Sequence, residues 1–386
     1  MPTRNHSEDS CPGVLATHQA ADGAVARVRV PGGQLTAAAF RTIATGAAEL
    51  GDGTIELTSR ANLQVRGLAD GVELGTRLAS AGLLPSATHE RVRNVLASPL
   101  TGRDGAGFAD VRPLVEALDE ALCARPRLAG LSGRFLFAVD DGRGDVAWLG
   151  ADIAAVLTSE NTAAVLLDGE DAGLRSTVDG APALMLACAE TFLTLREHEW
   201  RVAELADGPR RLAAHLAGPP GAPRRGGAED DGQAAVDRRE GTRQGVGLVD
   251  QGAGLVSLVA GAPLGWLDRR QAAALTATGA PLVITPWRRL VVADLPADRV
   301  EEVGDRLRGT GLLLDPGDPL ARVTACTGRP GCAKALADVR ADAAPVPGTT
   351  LPVHWSGCAR RCGRPRGAVV DVVATGHGYS VTEGDR

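Results

Sequence analysis

The chain has 386 residues, a formal net charge of −6 at pH 7 and 44% hydrophobic residues. At about 150 residues per domain, this length predicts two or three domains, and the acidic balance excludes a general nucleic-acid-binding surface. No apolar run reaches about 18 residues, the length of a membrane span, and the first ten residues carry no apolar signal-peptide core, so we expect a cytoplasmic protein that does not bind a membrane.

The first pattern in the chain predicts a strand, a helix and two further strands. Apolar and polar residues alternate towards the end of 24–30, as in a strand. Thr36 is placed to cap a helix that ends at 51–53, a Gly-Asp-Gly sequence. Alternation returns at 54–58 and at 62–66, which predicts two more strands.

The same order of elements recurs in the second half of the chain. A strand, a helix and two strands are predicted over 255–259, 268–279, 281–285 and 289–292. Thr58 and Leu63 would correspond to Thr285 and Leu290 at one constant offset, which indicates an internal repeat. Between the two units, residues 218–247 are rich in Gly, Pro and charged residues, so we interpret them as a flexible, exposed linker.

Four of the seven cysteines lie within 37 residues near the C-terminus. They are Cys326, Cys332, Cys358 and Cys362. In a cytoplasmic chain, such clustering indicates a metal site before it indicates disulfides. The spacing is C-x5-C followed by C-x3-C, and four thiolates can hold a [4Fe–4S] cluster. Structural zinc pairs have two to four intervening residues, so zinc is the less favoured alternative.

The second cysteine pair continues into Gly-Arg-Pro at 363–365. The whole pattern, C-x5-C and C-x3-C-G-R-P, resembles the cluster motif of the nitrite and sulfite reductase superfamily. That resemblance implies that the four cysteines hold a [4Fe–4S] cluster. It also implies that the residue matched by Cys362 bridges the cluster to the iron of sirohaem in the reductases.

Three segments of the N-terminal half resemble the tetrapyrrole-binding segments of the same superfamily. They are residues 57–64, 91–96 and 133–137. Arg60 and Arg93 match the carboxylate clamps, whereas Arg134 and Leu136 stand where the reductases have paired lysines. Because arginine binds carboxylates in a bidentate manner, we expect a substrate-binding set. It comprises Arg60, Asn62, Gln64, Arg66, Arg91, Arg93 and Arg134.

The resemblance also implies the fold class. We expect an α+β protein with duplicated ferredoxin-like half-domains related by a pseudo-two-fold axis, each followed by a sulfite-reductase-type α/β segment. The expected domains are a ferredoxin-like half-domain at 1–90, a reductase-like α/β domain at 91–217, the linker at 218–247, a second half-domain at 248–318 and the cluster-binding segment at 319–386.

Two departures from the reductases favour one branch of the superfamily, the precorrin-3B synthases. Leu136 replaces one of the lysines that help to protonate a bound oxyanion, and the chain is short for a sulfite reductase. The early Cys-Pro-Gly at 11–13 and the acidic run at 140–145 are also similar to that branch. The resemblance implies an oxidoreductase that hydroxylates precorrin-3A at C20 with O2 and closes a γ-lactone in aerobic cobalamin biosynthesis. Its electron donor would be NADH, a reductase or a ferredoxin.

Several assignments stay open at this point. Members of the branch are reported to use a mononuclear non-haem iron, whose usual ligands are two histidines and a carboxylate. His354 is the best-placed candidate, but its position before Cys358 favours a supporting role, so we assign neither ligands nor catalytic residues. Asp140, Asp141 and Asp145 could bind a cation, although an acidic turn is the simpler interpretation. The alternative functions are a small sirohaem-dependent sulfite or nitrite reductase and a non-enzymatic iron–sulfur electron-transfer or sensor protein.

Overall fold

The structure is a computed structural model that describes residue 9, residues 11–217 and residues 245–384. The chain divides into two compact units. Among the described residues, the first unit contains 9, 11–12, 29–32 and 85–217, and the second contains 13–28, 33–84 and 245–384. Most of the predicted linker, 218–244, lies outside the described residues, and a strand begins at Gly247.

In the described part of the chain the strands are, in order, β1 (His18–Ala20), β2 (Gly23–Val28), β3 (Gln34–Leu35), β4 (Ile55–Leu57), β5 (Leu63–Leu68), β6 (Val95–Ala97), β7 (Phe137–Asp140), β8 (Ile153–Leu157), β9 (Thr162–Leu167), β10 (Glu170–Thr177), β11 (Gly247–Gly252), β12 (Leu255–Gly261), β13 (Trp266–Leu267), β14 (Leu282–Ile284), β15 (Arg289–Pro296), β16 (Val323–Ala325), β17 (Val353–Ser356), β18 (Val369–Ala374) and β19 (Tyr379–Gly384). The α-helices are α1 (Ala37–Leu50), α2 (Val72–Ser80), α3 (Arg112–Cys123), α4 (Ala181–Leu195), α5 (Gly208–Ala217), α6 (Arg269–Ala277), α7 (Val300–Arg308) and α8 (Val339–Asp342). None of these helices is long and apolar enough to cross a membrane.

The two predicted strand–helix–strand–strand repeats are confirmed, and both lie in the second unit. One sheet has the order β1-β2-β5-β4-β13 and the other β11-β12-β15-β14-β3. The last strand of each sheet comes from the other repeat, because β13 pairs with β4 and β3 pairs with β14, both antiparallel. Helices α1 and α6 also pack against each other. The repeats therefore form one structure by exchanging a short strand.

Local capping explains why the two repeat helices begin where they do. The Thr36 side chain accepts a hydrogen bond from the backbone N–H of Ala39 at 3.1 Å, and Gly51 caps the end of α1, as predicted. Asp268 and Gln271 form a reciprocal capping box at the start of α6. A side-chain acceptor at this position satisfies a backbone donor that the helix itself leaves without a partner.

Each repeat is followed in the chain by a segment with a similar sheet. In the first unit the order is β10-β9-β8-β7-β6, with β6, β7 and β8 parallel and β9 antiparallel to β8. In the second unit the order is β16-β17-β18-β19, with the first three strands parallel and β19 antiparallel. These features confirm the α+β class with duplicated half-domains.

Candidate functional site

The four clustered cysteines lie at one edge of the C-terminal sheet of the second unit. Cys326 directly follows β16, and Cys358 follows the adjacent parallel strand β17 after one glycine, Gly357. Because the carboxyl ends of parallel strands meet at the same edge, this places both residues together. The backbone N–H of Gly357 donates to the Cys326 sulfur at 3.1 Å. Cys332 and Cys362 lie in the turns that follow.

The pKa shifts of Cys326 and Cys362 include contributions from the other clustered cysteines. Burial raises the pKa of Cys326, and the charges of Cys362 and Cys358 raise it further. Burial also raises the pKa of Cys362, with added contributions from Cys358 and Cys332, although Arg360 opposes the shift. Four neighbouring thiols with a backbone donor to sulfur fit a [4Fe–4S] cluster.

The same residues do not fit a single metal ion. Over the described ranges, no three His, Cys, Asp or Glu side chains come close enough to hold one ion together. A structural zinc needs four such ligands, and a non-haem iron of the usual type needs three. The described residues therefore provide no ligand set for the mononuclear iron that the resemblance implies.

His354 supports the turn of Cys362 instead of offering a free ligand atom. The side chain is fully buried, and its Nε2 lies 3.1 Å from the carbonyl oxygen of Cys362. Because a carbonyl only accepts hydrogen bonds, we assign the proton to Nε2, so Nδ1 accepts from the Thr324 hydroxyl at 2.9 Å. Burial, followed by the charge of Arg288, lowers the pKa of His354 to about 3, so the ring is neutral at pH 7.

Arg66 connects the first repeat to the cysteine loops. Its guanidinium makes two hydrogen bonds with Asp22, at 2.9 and 2.8 Å, and a third with the carbonyl oxygen of Gly331 at 3.2 Å. Gly331 precedes Cys332, and a Cβ at Gly331 would lie 2.6 Å from an Asp22 carboxylate oxygen. Arg66 is therefore a residue that positions the Cys332 loop, with its charge balanced by Asp22.

The other predicted residues of this segment lie in or beside the turn between β4 and β5. Arg60 is half-buried, and Asn62 is buried with its backbone N–H donating to the Thr58 hydroxyl at 3.0 Å. The Gln64 side chain accepts from the Arg27 guanidinium and donates to Glu56. The structure thus places Arg60, Asn62, Gln64 and Arg66 in the same unit as the cysteines.

The remaining predicted arginines, Arg91, Arg93 and Arg134, lie in the first unit. Arg93 is buried and makes two short hydrogen bonds with Asp119, at 2.7 and 2.6 Å, so its charge is balanced within the protein. Arg134 is half-buried, and its guanidinium carbon lies 5.8 Å from the centre of the Trp200 ring.

Asp9 also belongs to this region, although no sequence pattern indicated it. Its carboxylate accepts hydrogen bonds from the backbone N–H groups of Gly133 and Cys11 and from the Ser132 hydroxyl. Its carbonyl oxygen accepts from the Arg91 guanidinium at 2.8 Å. Burial alone would raise the pKa of Asp9, but these hydrogen bonds lower it below its usual value. Asp9 therefore joins two of the segments that resemble tetrapyrrole-binding segments.

Leu136 stands where the reductases have the second of their paired lysines, and it is buried. The side chain is 3% exposed, and the residue's backbone N–H donates to the buried carboxylate of Asp152 at 2.8 Å. An apolar, buried side chain cannot supply a proton to a bound oxyanion.

The acidic residues at the end of β7 and after it form a turn, and their carboxylates already accept hydrogen bonds within the protein. Asp140 is fully buried and accepts hydrogen bonds from four backbone N–H groups of the loop. Asp141 accepts from Arg143, which also reaches Asp104. Asp145 accepts from the Ser98 hydroxyl at 2.7 Å. This arrangement confirms the turn as the simpler interpretation.

We expect Asp145 to make the stability of the chain depend on pH. Burial, with a further contribution from the charge of Asp140, raises the pKa of Asp145 to about 7 from a reference value of 3.8. The folded state therefore holds one more proton than the unfolded chain between these values, and stability is lost as the pH rises through this window. From about pH 5 to about pH 8 the free energy of unfolding should fall by on the order of 2 kcal/mol.

The Asp145→Asn variant provides the matched control, because the amide keeps the shape and an acceptor for Ser98 but does not titrate over this range. In urea titrations at the two pH values, we expect the difference in stability between Asp145→Asn and the original chain to increase with pH. Parallel pH profiles for the two proteins would contradict the raised pKa.

Comparisons with known proteins agree with this architecture. Residues 18–72 match the family described as the nitrite/sulfite reductase ferredoxin-like half domain. A precorrin-3B synthase from a Sinorhizobium species is 28% identical over 96% of this chain and 82% of its own length. A ferredoxin--nitrite reductase from Synechococcus elongatus is 35% identical, but over only 31% of this chain and 25% of that protein.

A solved structure shows the same fold. The structure of the Mycobacterium tuberculosis NirA protein superposes with a TM-score of 0.70 at 20% identity, and the match covers 94% of this chain and 73% of that one. The relatives are enzymes of the oxidoreductase type. Residues 18–72 of the chain therefore match the nitrite/sulfite reductase ferredoxin-like half domain, and the chain as a whole is similar to a precorrin-3B synthase and shares the fold of the NirA protein.

Proposed function

We propose that the chain is a precorrin-3B synthase-like monooxygenase of aerobic cobalamin biosynthesis, which hydroxylates precorrin-3A at C20 and closes a γ-lactone. The observation that carries this proposal is the extent of the similarity. The precorrin-3B synthase is 28% identical over 96% of the chain and 82% of its own length, whereas a sulfite reductase from Mycolicibacterium paratuberculosis is 24% identical over 88% of the chain and 67% of its own length. Buried Leu136 supports the same choice, because it removes a basic group that oxyanion reduction uses.

In this proposal the four clustered cysteines hold a [4Fe–4S] cluster, which supplies electrons one at a time when it is bound. Hydroxylation by O2 consumes two electrons and two protons, places one oxygen atom on C20 and releases the other as water. The residues of the chain keep the cysteine loops in place. Arg66 holds the Cys332 loop, His354 holds the Cys362 turn, and Gly357 donates to the Cys326 sulfur.

We further propose that Arg91 and Arg134 of the first unit bind carboxylate groups of precorrin-3A and, as a separate proposal, that Arg60 of the second unit binds a carboxylate group. All three are half-buried, and a guanidinium recognises a carboxylate through two parallel hydrogen bonds. Arg66 and Arg93 already form bidentate pairs with Asp22 and Asp119, so we assign them positioning roles instead. Asn62 and Gln64 lie with Arg60 in the second unit and would shape the surroundings of Arg60.

We predict that Arg134→Gln weakens the binding of precorrin-3A roughly tenfold, because one charge-assisted hydrogen-bond partner is lost. Binding can be measured by absorbance titration under anaerobic conditions. The cluster absorbance should not change, since the four clustered cysteines are unaltered in this variant. The matched control is Arg127→Gln, an exposed arginine of the first unit. Equal affinities for both variants would remove Arg134 from the site.

The reaction itself can be tested with the anaerobically prepared protein. Precorrin-3A, a reductant and O2 should give a product that has gained one oxygen atom, whereas sulfite and nitrite should not be reduced. Copurified sirohaem together with reduction of sulfite or nitrite would favour the reductase instead. A redox-active cluster without any tetrapyrrole affinity would favour an electron-transfer or sensor protein.

A further inference from the structure

Arg288 places a buried guanidinium beside the turn of Cys362. The residue lies in the turn between β14 and β15, has a φ of 56° and is 7% exposed. Its Nε donates to the carbonyl oxygen of Leu57 at 3.1 Å, and its Nη2 donates to the carbonyl oxygen of Gly363 at 2.6 Å. Both acceptors are uncharged, so these contacts do not neutralise the guanidinium.

The neighbouring arginines are balanced in a different way. Arg364 makes two hydrogen bonds with the buried carboxylate of Asp371, at 3.0 and 2.9 Å, and Arg361 lies 3.6 Å from the same carboxylate. For Arg288, the described residues contribute no ion pair, although the charge of Glu56 acts on it through space. Because arginine keeps its proton in proteins, a positive charge remains in the interior beside Gly363, the residue that follows Cys362.

Arg288 and His354 together hold two consecutive carbonyl groups. His354 Nε2 donates to the carbonyl of Cys362 at 3.1 Å, and Arg288 Nη2 donates to that of Gly363. The fit around Gly363 is close, since a Cβ there would lie 2.5 Å from Arg288 Nη2 and the residue has a φ of +81°. The orientation of the peptide that follows Cys362 is thus fixed by an arginine from the second repeat.

We propose that Arg288 is a positioning residue for Cys362 and that its charge raises the reduction potential of the cluster. This inference rests on the proposed [4Fe–4S] cluster. One-electron reduction makes a cluster bound by four thiolates more negative. A buried cation, which water screens poorly, stabilises the more negative state and so favours the reduced form.

The test compares the reduction potential of the cluster in the full-length protein and in Arg288→Met, using dithionite as reductant and electron paramagnetic resonance as readout. At a fixed potential we expect the ratio of reduced to oxidised cluster to fall about tenfold in Arg288→Met, which corresponds to about 59 mV for one electron. Arg288→Lys keeps the charge and should recover most of the shift. The matched control is Arg366→Met, because Arg366 is exposed near the same cysteines and solvent screens its charge.

The outcomes separate this inference from the proposed cofactor. Iron and sulfide content is measured first, and a wild-type protein without a cluster would overturn both. A cluster that is present in Arg288→Met with an unchanged potential would overturn the role of Arg288 alone. If Arg288→Met does not fold, Gly363→Ala decides the question, because the added Cβ displaces the guanidinium while the arginine remains. We expect a shift in the same direction, and an unchanged potential in that variant would equally refute the inference.

Discussion

Replacing Cys326 or Cys358 with serine is expected to abolish the iron–sulfur cluster. The two residues follow the adjacent parallel strands β16 and β17, so each contributes one sulfur at the same edge of the sheet. A serine oxygen is a poor substitute for a soft thiolate ligand of iron–sulfur clusters. Iron content should fall from about four atoms per chain to nearly none, and the cluster absorbance should disappear.

The control for this experiment is Cys123→Ser. Cys123 is half-buried at the end of α3 in the first unit and is not one of the four clustered cysteines. This variant should keep the iron, the sulfide and the absorption spectrum of the original protein. An intact cluster in either Cys326→Ser or Cys358→Ser would refute the four-ligand assignment.

The second large effect that we expect concerns stability. Asp140→Ala should lower the free energy of unfolding by about 3–5 kcal/mol, because the N–H groups of Val146 and Ala147 are buried and each buried donor that loses its acceptor costs about 1–3 kcal/mol. The fully buried Asp140 carboxylate accepts hydrogen bonds from the backbone N–H groups of Gly142, Gly144, Val146 and Ala147, at 3.0, 2.8, 3.0 and 3.0 Å. Urea titration followed by circular dichroism measures the loss.

Asp250→Ala is the matched control for Asp140. Asp250 also accepts a backbone hydrogen bond within a turn, from Gly252 at 2.9 Å, but it is exposed on β11. Water can replace that acceptor, so we expect a change of about 0.5 kcal/mol or less. If both variants lost the same free energy of unfolding, burial would not explain how much the Asp140 carboxylate stabilises the protein.

Features that depend on neighbouring residues were predictable from the sequence. Thr36 and Asp268 cap their helices because a capping side chain acts on backbone groups two or three positions away. Close spacing in the chain relates Cys326 to Cys332 and Cys358 to Cys362, but the two pairs meet because β16 and β17 are adjacent parallel strands. The exchange of β3 and β13 was not predicted, because two-residue strands have no measurable period and pair with strands of the other repeat.

The sequence could not predict which arginines of the site already pair with a carboxylate. Arg66 and Arg93 look alike as candidate carboxylate clamps, but each is paired with an aspartate that lies 44 or 26 residues away. No sequence pattern identified Arg288 as part of the site either. Its hydrogen-bond acceptors are the backbone carbonyls of Leu57 and Gly363, which lie 231 and 75 residues away in the chain. Patterns of residue type identify which side chains carry a charge, whereas only tertiary packing determines which charges are already satisfied.

The most direct test of the proposed function is the fate of molecular oxygen in the product. The protein would be prepared without air, reduced, mixed with precorrin-3A and exposed to isotopically labelled O2, and the product would be analysed by mass spectrometry. We predict that one labelled oxygen atom is incorporated at C20 and that Cys326→Ser gives no labelled product. Unlabelled precorrin-3A recovered unchanged from a protein that contains an intact cluster would contradict the proposed function.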